Sequence, residues 1–215
     1  MKIFLMLVFI IMPLQIVYGA DSYIGPTWST AMSGFWNIKK DTQDSIDYRF
    51  APMITTGIGL RWETRFSEYL DANLEVEYLK RGAAIDYGLV TSFKPRYIIE
   101  YAGMTPGIKF LFTPKNLYSF SSRLAVPVNI MTKALNETAT FARNISGDVR
   151  RFEFGILLAV GAQRHMREVD ILQIEYFFQL GLSNIFQGMI ADNGLGANNY
   201  ATGLKASYLL SWNSF

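Results

Sequence analysis

Residues 70–77, LDANLEVE, alternate without a slip: Leu70, Ala72, Leu74 and Val76 fall on one face of an extended chain, and Asp71, Asn73, Glu75 and Glu77 on the other. Side chains of a strand point to opposite faces with period two, so the segment has one apolar and one charged face. Lipid outside and a polar lumen inside suit both faces at once. The same pattern recurs along the chain, and eight strands are expected, at residues 27–38, 52–64, 69–80, 96–112, 117–132, 150–164, 170–182 and 199–213. The fold expected is all-β: an eight-stranded antiparallel up-and-down transmembrane β-barrel.

The connections between these stretches alternate in length. Residues 65–68, 113–116 and 165–168 are tight turns, expected on the periplasmic side. Residues 39–49, 81–95, 133–149 and 183–198 are several-fold longer, rich in Gly, Asn, Asp, Thr and Ser, and expected at the cell exterior. An even strand count returns both ends to one side.

The N-terminus reads as a cleaved signal peptide over residues 1–19: Lys2 is followed by an apolar run at 3–12 that Pro13 ends. That run is too short to cross a bilayer as a helix. Val17 and Gly19 fit the small-residue positions of a cleavage site, so the barrel domain is expected to occupy residues 20–215. There is no cysteine, which excludes a lipoprotein leader, disulfides and thiolate chemistry. The chain has 20 Lys and Arg, Lys2 among them, against 18 Asp and Glu, so the mature part is near neutral and lacks a field that would gather nucleic acid. Half the residues are hydrophobic, yet no later run reaches the roughly 20 apolar residues of a membrane helix.

Aromatic residues bear on the same topology, because Trp and Tyr collect at membrane interfaces. Trp28 and Trp36 share a face of the first strand, Trp62 and Trp212 fall at periplasmic strand ends, and Tyr78, Phe152 and Tyr200 at outer ends. Two girdles are expected. Alternation weakens at residues 103–107, and Pro127 removes a donor from a strand that closure should pair on both sides, so a bulge is expected at each. Phe215 resembles the aromatic terminus read by the barrel-assembly machinery, an expected partner during biogenesis.

Several stretches resemble the PorT-like outer-membrane β-barrel family. Residues 74–83, LEVEYLKRGA, are similar to its third strand with a Lys-Gly-Ala ending, and residues 101–112 to its fourth, with Pro106 one place later than usual. Residues 152–163, FEFGILLAVGAQ, resemble the sixth strand, and residues 175–186, EYFFQLGLSNIF, the seventh with its Gly-Leu-x-Asn-Ile ending. The resemblance implies the fold and an outer-membrane location. The family's founding member is implied in secretion, but its distinctive N-terminal segment is not found here, so that role is not carried over.

Candidate chemistry sits on the inward phase: Arg61, Glu63, Asp71, Glu75, Glu77, Lys109, Arg123, Arg151, Glu153, Gln173, Glu175 and Lys205. These residues line either a charged solute path or a lumen filled by mutually satisfied ion pairs. The second is the reading preferred, since an eight-stranded interior is just wide enough for side chains to fill. His165 is the only histidine, in an expected turn, and reads as a solvated polar residue rather than a catalytic base. No metal spacing and no cofactor motif emerges. In the outer loops Phe141, Ile145, Ile185, Phe186, Met189 and Ile190 must be covered, by a protein partner or by the barrel mouth. The function expected is structural, accessory or surface-binding and not enzymatic; a narrow porin is the alternative, and a lipid-modifying barrel enzyme comes third.

Overall fold

The computed structural model describes residues 21–39, 49–86, 94–114, 116–166, 170–192 and 195–212. The expected signal peptide and Phe215 lie outside them, as does much of the first two outer loops. The strands are β1 (Ser22–Lys39), β2 (Arg49–Ala51), β3 (Met53–Ser67), β4 (Leu70–Asp86), β5 (Arg96–Leu111), β6 (Tyr118–Ala125), β7 (Val128–Glu137), β8 (Ala142–Asn144), β9 (Phe152–His165), β10 (Asp170–Gly181) and β11 (Gly196–Ser211). A short helix, α1 (Gly188–Asp192), lies in the last long connection.

All pairings are antiparallel, and the sheet closes on itself. From β1 the order runs through β3, β4, β5, then β6 with β7, then β9, β10 and β11, which pairs back onto β1. The pair β6 and β7 is one strand of the ring, giving eight in all: Ala125 faces Gly107 and Leu157, Val128 faces Met104 and Phe154, and the register is the same on both sides of the interruption. Closure removes every edge within the bilayer, where an unpaired backbone group has no water to satisfy it. β2, separated from β3 by one residue, continues that strand on the same edge of β4 after a one-residue shift, and β8 is a short addition to β7 at the long-loop end.

The two expected bulges are not where the alternation weakens. β5 stays in register with β4 from Phe110 opposite Leu70 to Arg96 opposite Ala84, straight through residues 103–107. At Pro127 the strand is interrupted without a register shift: Val126 N donates to Pro106 O at 2.9 Å and Gly155 N to Pro127 O at 3.0 Å, so the cost is one missing donor. On β5 the register shift falls instead between Glu100 and Tyr101, where β7 fits Thr132 in as an extra residue whose hydroxyl donates to Glu100 O at 3.0 Å.

Strands also run further than the alternation suggested. β4 has 17 residues and continues to Asp86, so residues 81–86, expected in a loop, are strand. At about 3.3 Å per residue and a tilt near 40°, such a strand rises roughly 40 Å, against an apolar band of about 25 Å. The excess projects at the long-loop end, beyond lipid, where an outward residue no longer needs to be apolar.

The outward surface is apolar over a continuous belt. Ile54, Ile58, Leu60, Phe120, Val160, Ile174 and Leu204 are all more than half exposed. A contiguous apolar surface of this extent is stable only against lipid. The charged residues that a water-soluble sheet would display are instead inside.

Candidate functional site

The lumen is filled in tiers. At the short-turn end, Tyr23, Ile171 and Leu209 form an apolar floor. Above it the odd-numbered residues of β3, β4, β5, β6, β10 and β11 point inward by the same alternation that makes their even-numbered neighbours face lipid. This places Arg61 across from Glu75, Asp71 across from Lys109 and Glu175 across from Lys205 on neighbouring strands.

Glu75 and Glu175 are the hubs. Arg61 Nη2 donates to Glu75 Oε2 at 3.1 Å and to Glu175 Oε2 at 2.6 Å, while its Nη1 donates to Gln173 Oε1 at 3.1 Å. Arg123 lies against the same two carboxylates at 3.1 and 3.0 Å. Lys205 Nζ donates to Glu75 Oε1 at 2.5 Å and Glu77 Oε2 at 3.1 Å. Lower down, Lys109 bonds Glu63 and Gln163 and lies 3.3 Å from Asp71, which also accepts from Arg65 Nε at 3.3 Å. Gln173 completes the tier by donating to Glu175 Oε1 at 2.9 Å.

Above this tier comes an apolar layer of Ala125, Leu157, Ala159, Phe177 and Ala201. Arg81, Gln179, Glu153, Asn199 and Tyr101 form a second polar tier, in which Asn199 Nδ2 donates to Glu153 Oε2 at 2.6 Å and to Tyr101 OH at 3.0 Å. The long-loop end is capped by Phe35, Leu79, Ile99, Ile145, Val149, Ile185 and Phe186 among others, with the Phe35 and Phe186 rings edge-on at 5.5 Å. Among the described residues of the lumen there are six cations (Arg61, Arg65, Arg81, Lys109, Arg123, Lys205) and six anions (Glu63, Asp71, Glu75, Glu77, Glu153, Glu175). Long side chains of balanced sign plug the barrel.

Of the residues assigned to the lumen from sequence, Arg61, Glu63, Asp71, Glu75, Glu77, Lys109, Arg123, Glu153, Gln173, Glu175 and Lys205 are buried there. Arg151 is not. It precedes the first residue of β9 and is exposed, its carbonyl accepting from Met131 N at 2.8 Å. Parity with Glu153 pointed it inward, but parity holds only within a strand. The lumen also holds Arg65 and Arg81, which lie just past the ends of the expected second and third strands, and Gln163 and Gln179, which share the inward phase of the expected sixth and seventh strands but were not assigned there. Asn129 is buried beside Gly103, on the far side of the proline interruption.

The tryptophans divide. Trp62 and Trp212 sit at the short-turn end, and Trp36 at the other, where its Nε1 donates to Gly181 O at 3.2 Å and Asn199 O at 3.0 Å, clamping β1 over β11 onto β10. Trp28 lies within the belt: it faces Ile58, four ladder positions beyond the pairing of Trp62 with Ile24, so it stands roughly 10 Å above that rim. The loop residues offered as a binding patch are largely spent inside. Ile145, Ile185 and Phe186 are buried in the cap and Ile190 packs against it, whereas Phe141 is 61% exposed. His165, half-buried, ends β9 opposite Ile171. Among the described residues no group of three His, Cys, Asp or Glu side chains is arranged to hold a metal ion.

Neither a family model nor a curated protein matches the sequence. Solved structures do match. The outer membrane protein OprG from Pseudomonas aeruginosa superposes with a TM-score of 0.56 at 12% identity, over 89% of this chain and 93% of that one. Neisserial surface protein A superposes with a TM-score of 0.53 at 9% identity, over 89% and 97%. The chain has the fold of the eight-stranded outer-membrane β-barrels. Its outward apolar belt and inward charge are the arrangement that fold requires in a bilayer, and the protein is a multi-pass β-barrel of the outer membrane.

Proposed function

We propose that this barrel is a closed, non-enzymatic anchor that holds its outer loops at the cell surface, and that it belongs with the PorT-like outer-membrane barrels. The observation that carries the reading is the filled lumen: two apolar layers and an apolar cap separate two polar tiers, the lower an ion-pair network whose charges are committed to one another and the upper held by hydrogen bonds among Arg81, Gln179, Glu153, Asn199 and Tyr101. A solute path would need a continuous wet column, and a hydrolytic site would need a nucleophile and base facing substrate at the lipid or water boundary. The ionisable groups that alternation drives inward are sealed from both. Phe141, exposed near the tip of the β7–β8 hairpin, is the side chain best placed to meet a protein partner at the surface.

Reconstitution in a planar bilayer tests this. The expected result is no stepwise conductance above the lipid baseline in neutral salt. Discrete steps would favour the narrow porin, and an altered lipid A or phospholipid profile in a deletion strain would favour the lipid-modifying enzyme.

A further inference from the structure

Toward the long-loop end the outward face of the barrel is positively charged on one arc only. Among the described residues β1, β3, β10 and β11 carry no outward cation, and their outward phase ends in uncharged side chains such as Trp36, Ile54, Leu180 and Tyr200. On the other side of the ring Lys80, Lys133, Arg150 and Arg151 are all exposed. Cations that only snorkelled to the headgroups would be spread around the barrel. These are confined to the strands from β4 to β9.

Lys133 is outward because of the bulge. Ile130 lies opposite Ala102 on the outward face and Met131 opposite Tyr101 on the inward one, so plain alternation would send Lys133 to the lumen. Thr132, the extra residue, reverses the phase: Lys133 falls opposite Glu100 on the outward face, and Ala134 opposite Ile99, both fully buried. Arg150 and Arg151 approach across the seam between β7 and β9, where Met131 N donates to Arg151 O at 2.8 Å and Arg150 N to Ile185 O at 2.7 Å. Val149, just before them, is buried in the cap, so the backbone beneath the two arginines is held in place.

These three cations are uncommitted. Among the described residues Lys133, Arg150 and Arg151 make no ion pair, whereas Lys80 lies 3.5 Å from Glu100, Arg96 2.7 Å from Glu137 and Lys94 2.6 Å from Asp86. The acids nearest to them are engaged elsewhere: Glu100 accepts from the Tyr78 hydroxyl as well as facing Lys80, Glu153 is buried in the lumen, and Asp148 lies against Gly188. Directly below the cations the lipid-facing phase continues through Ile130 opposite Phe152 and Val128 opposite Phe154, with Ile130 and both phenylalanines exposed. Positive charge set on exposed hydrocarbon is the complement of a lipid with an anionic head.

We propose that Lys133, Arg150 and Arg151 bind a lipid-borne phosphate in the leaflet at the long-loop end, with the acyl chains of that lipid laid on Ile130, Phe152 and Phe154. Guanidinium forks and an ammonium converging on one oxyanion suit phosphate. A soluble polyanion would have no use for the apolar pair below. The site rests on the barrel's place in the outer membrane and not on its closed lumen, so a conducting barrel would leave it standing.

Native mass spectrometry of the full barrel, released from uncharged detergent doped with diphosphorylated lipid A, reads the site. A tightly retained lipid is expected, with phosphatidylcholine at the same fraction not retained. Each cation near an anionic lipid surface contributes about fivefold in affinity, so Lys133→Gln should weaken retention about fivefold and its combination with Arg150→Gln and Arg151→Gln roughly a hundredfold. All three side chains are exposed, so the variants should assemble, which heat-modifiable mobility checks. Phe152→Ala keeps every charge and should also weaken retention, whereas Arg143→Gln, on β8 beyond the lipid, should not. Equal retention by wild type and the triple variant would overturn the proposal. So would displacement of the lipid by inorganic phosphate, or an equal loss in Arg143→Gln, since either would mark the arc as a site for a soluble polyanion.

Discussion

Glu75 accepts contacts from Arg61, Arg123 and Lys205 with its side chain fully buried, so a single carboxylate holds three cations together. Glu75→Gln keeps the shape and removes the charge, leaving those cations with one fewer partner in a site that excludes water. Breaking a buried pair in this way costs about 3–5 kcal/mol, and the expected outcome is a lower urea midpoint in lipid vesicles, read by tryptophan fluorescence, with little change in slope. The next residue tests the phase itself. Val76 faces lipid and Asn73 faces the lumen, so Val76→Arg should block assembly, at about 2–4 kcal/mol for an arginine near the midplane, more severely than Asn73→Arg. Heat-modifiable mobility on gels distinguishes folded from unassembled protein, and equal tolerance at both sites would mean that the register is wrong. At this scale residues 70–77 carried nearly the whole answer, because inside the bilayer the two faces of a strand obey opposite rules. Arg151 shows where that stops: one residue before β9 begins, alternation has no meaning, and the side chain goes to solvent.

The seam between β1 and β11 is where an element can fail as a unit. A Cβ on Gly203 would lie 2.1 Å from Thr30 O, and one on Gly25 would lie 1.8 Å from Tyr208 O, so at both points the first and last strands approach more closely than any other residue permits. Gly203→Val is expected to hold the seam open and leave the chain unassembled, whereas Ala206→Val, on the lipid-facing phase of the same strand opposite Trp28, should assemble normally. The comparison is again read as heat-modifiable mobility, and normal closure of Gly203→Val would show that the strands can part there without penalty. Strand ends were harder to place than strand middles for a physical reason. Once β4 rises above the lipid an outward residue such as Lys80 is released from the need to be apolar, while the ladder to β5 continues through Ala84. A sequence pattern that depends on lipid disappears at the membrane surface; hydrogen bonding does not. The bulge at Thr132 was hidden likewise, since it lies where the outward face is already polar.

At the scale of the whole molecule the lumen has more than one seal, and this makes a prediction that separates a plug from a gate. The apolar cap buries Phe186 completely against Phe35 and Tyr97, with ring centroids 5.5 Å away in both cases. That cap was invisible in the sequence as a cap, because Phe35, Leu79 and Ile99 lie inward where the pattern of the lower strands had polar residues, and Ile145, Ile185 and Phe186 come from connections that read as surface. Phe186→Ala removes its centre and should cost about 3–5 kcal/mol in stability. It should nonetheless leave the reconstituted barrel silent, since the layer of Leu157 and Phe177 and the charged tier of Arg61, Arg123, Glu75 and Glu175 still fill the bore beneath it. Conductance should emerge only when Phe186→Ala is combined with Phe177→Ala, with loss of both Arg61 and Glu175 side chains and with Ile171→Ala in the floor, a combination that opens the cap, the layer, the charged tier and the floor together while keeping the charge balanced. If Phe186→Ala alone conducts in a planar bilayer, the lower layers are permeable, the cap is a gate, and the closed-anchor reading gives way to that of a narrow porin.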